Sequence, residues 1–174
     1  RSGSSDYAKT KFEVNFIKNI LSKSTKEILY KPYYSKRYLG IALELQEIER
    51  HKNIKITGSE LDLRYLLSNT SLIITSRATS TASWCIFSKR PMIFIDTIDN
   101  RLNKIAKPLF KEGLFYFDVF EKNWEKKIIN FLSKPLKEIE LLWKNKFDKN
   151  QLLLEYLGSK NTETNYYKIL QKNK

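Results

Sequence analysis

The chain has 174 residues, 41% hydrophobic and 13% aromatic, with five Gly and four Pro; this is the length of one core-forming domain and excludes a disordered, collagen-like or low-complexity chain. Thirty-two Lys and Arg against nineteen Asp and Glu give a net charge of +13, which points to a polyanionic partner such as nucleic acid, an anionic membrane surface or a phosphorylated ligand. A single cysteine, Cys85, and a single histidine, His51, exclude an intramolecular disulfide framework and a structural zinc site.

The chain opens at Arg1 in a Ser/Gly-rich stretch with no secretory h-region. No apolar run reaches the ~18 to 20 residues of a membrane-spanning helix. A reduced, cytoplasmic fragment of a longer protein is expected. Phe12, Phe16, Ile17, Ile20 and Leu21 recur at three- and four-residue spacing and predict a helix over 7–21. The short apolar run 27–31 stops at Pro32 and predicts a strand. Over 39–50, Leu39, Ala42, Leu43, Leu45 and Ile48 oppose Glu44, Glu47 and Glu49, an amphipathic helix. Alternation over 53–57 predicts a half-exposed strand ended by Gly58, and Ser59 with Asp62 reads as a capping box for a helix reaching Leu67.

Residues 72–74 are apolar on both faces, as in a central parallel strand. A hydroxyl-rich turn, 76–81, leads into a short helix through Trp84, Ile86 and Phe87, and Pro91 opens a fully apolar strand, 92–95, that ends at Asp96. Another apolar run, 114–117, follows Gly113, after which helices are predicted over 123–133, 135–145 and 148–157, the last stopped by Gly158. Residues 159–174 form a basic tail. Strands separated by amphipathic helices predict a doubly wound parallel α/β domain over 1–158, whose ligands bind at the carboxyl ends of the strands.

That rule directs attention to two segments. If Thr79, Ser80 and Thr81 open a helix, their hydroxyls and main-chain N–H groups converge just past a strand end, where the helix dipole adds about half a positive charge. A phosphate would bind there. Ser76 and Arg77 lie in the same turn, and Arg77 would add charge-assisted hydrogen bonds to phosphate oxygens. The plainer alternative makes Ser80 an N-cap and Arg77 a solvated side chain. The second segment is Lys31-Pro32-Tyr33-Tyr34, at the carboxyl end of another strand expected in the same sheet. There Lys31 and a tyrosine would face the same crevice.

The remaining features read as packing or surface. His51 ends a charged helix, Cys85 sits between Trp84 and Ile86, and Trp84, Trp124 and Trp143 stand among apolar neighbours as core residues. Lys104, Lys107, Lys111, Lys126 and Lys127 read as solvated lysines on helix faces. No RRM-type aromatic octapeptide, Cys/His finger, GxxG loop, GxxxxGK[ST] or GxGxxG occurs. A phosphate site here is built of hydroxyls rather than glycines.

Residues 7–157 resemble the carboxyl-terminal, donor-binding half of GT-B glycosyltransferases, in particular bacterial capsule and surface-polysaccharide transferases and the related glycerophosphotransferases. Tyr30-Lys31-Pro32-Tyr33 is close to that family's strand ending in Lys-Pro-His. Residues 66–75 are similar to its helix and strand leading to the site, and Ser80-Thr81 with Lys89-Arg90-Pro91-Met92-Ile93-Phe94 looks like its Ser-Thr, helix, Lys-Pro-hydrophobic strand. The stretch 106–115 and the helices around Trp143 also resemble surface-carbohydrate transferases. Tyr33 stands where the family commonly has His, and Trp84 where many relatives place a Glu that contacts the donor's ribose.

The resemblance implies phosphate contacts from Ser80 and Thr81, a cleft role for Lys31 and Tyr33, and a nucleotide-sugar donor as substrate, with no cofactor and no metal. It also implies an amino-terminal half that carries the acceptor site and the base, so that this chain alone binds nucleotide weakly and does not turn over. The acceptor would be an acidic glycan or a lipid-linked acceptor, and the positive charge would hold the enzyme near an anionic inner membrane. A reading from another class is a non-catalytic basic α/β module that binds nucleic acid or scaffolds a complex.

Overall fold

The structure, a computed structural model, describes residues 4–32, 42–58, 60–147 and 153. In chain order the elements are α1 (Ser4–Asn19), β1 (Ile28–Tyr30), α2 (Leu43–Ile48), β2 (Ile54–Ile56), α3 (Leu63–Leu67), β3 (Ile73–Thr75), α4 (Ser80–Phe87), β4 (Met92–Asp96), α5 (Ala106–Gly113), β5 (Phe115–Asp118), α6 (Trp124–Leu132) and α7 (Leu136–Phe147). Strands β1 and β2 pair in parallel, Ile28 opposite Ile54, and β3 and β4 pair in parallel, Ile73 opposite Met92. The fold is a Rossmann-like parallel α/β arrangement ending in helices, as the alternation of periods predicts. The single sheet expected is two: β1-β2, and β3-β4-β5 with β4 in the middle.

The chain forms two compact units. The first comprises 1–68, 97–99 and 118–135. Its core is the stripe Phe16, Ile17, Ile20 and Leu21 at the end of α1, with Ile48 of α2, Ile54 of β2, and Ile128 and Leu132 of α6, all buried. Each such side chain contributes roughly 1.5–3 kcal/mol on leaving water. Phe12, Phe16 and Trp124 stack with centroids 5.6 to 6.4 Å apart. Asn53 donates to the carbonyls of Leu21 and Ser24, both at 3.0 Å, and so satisfies the turn between α1 and β1. The ammonium of Lys26 donates to the carbonyls of Leu132 and Lys134, where α6 ends and its last carbonyls lack intrahelical donors.

The second unit comprises 69–96, 100–117 and 136–174. All five residues of β4 are buried. Because alternate side chains point to opposite faces, both faces of that strand are covered. The central strand is therefore β4. The run 72–74, expected to be central, is an edge strand with only Ile73 buried. Phe94 meets Phe110 of α5 edge-on at 4.6 Å, and Phe115 of β5 packs on Trp143 of α7 at 5.6 Å. After α4 the chain turns through Lys89 at φ 60°, the left-handed position that commonly ends a helix. The Trp143 indole donates to the Lys89 carbonyl at 3.0 Å, which ties α7 to that turn.

One further expectation shifts. The cap of α3 is Asp62, whose carboxylate accepts from the Arg64 N–H at 2.9 Å, while Ser59 lies outside the described residues. The crossover between β4 and β5 is the helix α5, in keeping with the reading of Lys107 and Lys111 on a helix face, although no bounds for it are set from the sequence. The basic tail 159–174 and nearly all of the helix expected over 148–157 lie outside the described residues. Among the described residues no helix is long and apolar enough to cross a membrane.

Candidate functional site

The site is built at the carboxyl ends of β3 and β4 within the second unit. β3 ends at Thr75, whose hydroxyl accepts from the Arg77 N–H at 3.2 Å and turns the chain. Thr79 is extended (φ −114°, ψ −175°) and exposed, and α4 begins at Ser80. The Ala82 N–H donates to the Thr79 carbonyl at 2.8 Å. By helix geometry the N–H groups of Ser80 and Thr81 then have no intrahelical acceptor. No described side chain caps this end. The run Thr79–Thr81 therefore opens a helix at a strand's carboxyl end, as expected, although the cap position is Thr79 rather than Ser80. The side chains of Ser80 and Thr81 lie outside what the structure describes.

The loop after β4 is fastened to the loop after β3, since the Asn100 side chain donates to the Ser76 carbonyl at 3.0 Å. Ser76 and Arg77 are both half-buried. Beneath the β4 loop is Asp96, the last residue of β4, with no exposed surface. One of its carboxylate oxygens accepts from the Leu102 N–H at 3.0 Å, and the other accepts from the Tyr116 hydroxyl. Arg101 approaches that second oxygen at 3.6 Å and Lys107 at 4.0 Å. The Lys107 and Lys111 ammoniums lie 6.0 and 5.4 Å from the centre of the Tyr116 ring, within reach of a cation–π attraction.

Compared with known proteins, the chain matches no family model, no curated protein and no solved structure.

The other residues singled out in the sequence fall elsewhere. Lys31 follows β1, in the first unit and the other sheet, and its ammonium donates to the Pro32 carbonyl at 3.3 Å. Tyr33 lies outside the described residues. Cys85 is 1% exposed inside α4, and burial pushes its thiol up to about 12, so it is a packing residue and no nucleophile. Trp143 is core, whereas Trp84 and Trp124 are half-buried. His51, expected on the surface, accepts or donates a 3.0 Å bond with the buried Glu47. That bond is the main reason the Glu47 carboxyl stays below its usual range. Lys107, expected to be solvated, is half-buried beside Asp96.

The contacts of Asp96 with Arg101 and Tyr116, and of Asn100 with Ser76, are not anticipated by the sequence reading. The available signal was an acidic residue closing a wholly apolar strand, at the end where open α/β sheets bind ligands. Among the described residues no group of three or more His, Cys, Asp or Glu is placed to hold a metal ion.

Proposed function

We propose that the chain is the donor-binding half of a glycosyltransferase that builds bacterial surface polysaccharide, and that it holds the phosphates of a nucleotide sugar at the carboxyl rim of β3 and β4. The observation that carries this reading is the opening of α4 just past the loop 76–79 that follows β3, with Thr79, Ser80 and Thr81 in sequence. A helix start of this kind offers N–H donors and about half a positive charge to an anion. Arg77 in the same loop would add a charged donor. The leaving phosphate of a glycosyl transfer would be stabilised by these preorganised dipoles. The acceptor, an acidic glycan or lipid-linked saccharide, and the catalytic base would come with an amino-terminal half. The reading calls for no metal or cofactor.

Calorimetric titration with CMP, CDP and UDP tests the reading. Saturable binding that tolerates moderate salt is expected. Replacing Ser80 and Thr81 together by Ala is expected to weaken it about tenfold or more while the circular dichroism spectrum is retained, given the ~1.5 kcal/mol or more typical of hydrogen bonds to charged groups. The net charge of +13 favours a second reading, a basic module for nucleic acid. Binding only to a short DNA duplex, fading steeply as salt rises, would establish that one instead.

A further inference from the structure

We draw no further inference here: the strongest candidate, the face of α7 on which Leu141 and Leu142 are exposed, carries no proposal, because nothing in the structure shows what covers it.

Discussion

Cys85 and Asp62 show how surroundings set the chemistry of single residues. The Cys85 thiol is 1% exposed and pushed up to about 12 by burial, so it is protonated and shielded at pH 8. Native protein is expected to leave Ellman's reagent unreacted over an hour and to release one equivalent of chromophore once unfolded; rapid native labelling would contradict this. The Asp62 carboxyl is held down to about 2, first by the Arg64 side chain and then by the Arg64 N–H. A carboxylate with a depressed folded pKa stabilises above its unfolded value, near ~3.9, and loses that contribution as pH falls towards the folded one. Asp62→Asn, which keeps an N-cap acceptor, is therefore expected to match the wild-type melting temperature more closely at pH 2 than at pH 6. An unchanged difference across that window would show that Arg64 contributes nothing. Both residues could be named from sequence, but only in part. Asp62 was recognisable near a helix start, whereas its 2.7 Å ion pair with Arg64 depends on side-chain geometry. Asp96 was read as the end of a strand because its partners Arg101, Lys107 and Tyr116 converge on it only after folding.

At the scale of elements, hydrophobic period was the reliable guide. It located α1, β4, α6 and α7 to within a few residues, because each presents an uninterrupted apolar stripe or run. It set no bounds for α5, where Pro108, Lys107 and Lys111 obscure a stripe of Ala106, Phe110 and Gly113 that is in fact buried. It also promoted β3 to a central strand, since an apolar triplet is the same in sequence whether one or two neighbours flank it. The crossing of β4 and α5 makes a strong claim testable. Phe94 and Phe110 are both fully buried and touch edge-on. Phe94→Ala is expected to cost about 3–5 kcal/mol by removing the ring and leaving a cavity. Chemical denaturation should read this as a lower midpoint, and a loss below about 1 kcal/mol would mean that the core collapses into the gap.

For the molecule as a whole, composition and the alternation of periods were sufficient for the α/β class but not for the number of sheets. The segment 59–72 reads as helix, turn and strand whether or not the strands on either side share one sheet. Nothing local in that stretch distinguishes one five-stranded sheet from the observed two- and three-stranded pair. The charge of +13 is likewise a property of the whole, and its effect on partners is read through salt dependence rather than any single lysine.

The two units are also interleaved along the chain, the first drawing on 1–68, 97–99 and 118–135. No single cut can release either one intact. A fragment spanning 69–174 would retain α6 while discarding α1, and would bring Trp124, Ile128 and Leu132 into water without the phenylalanines that stack on Trp124. Trimming the polypeptide at the sequence midpoint would therefore yield sticky material rather than a smaller folded unit.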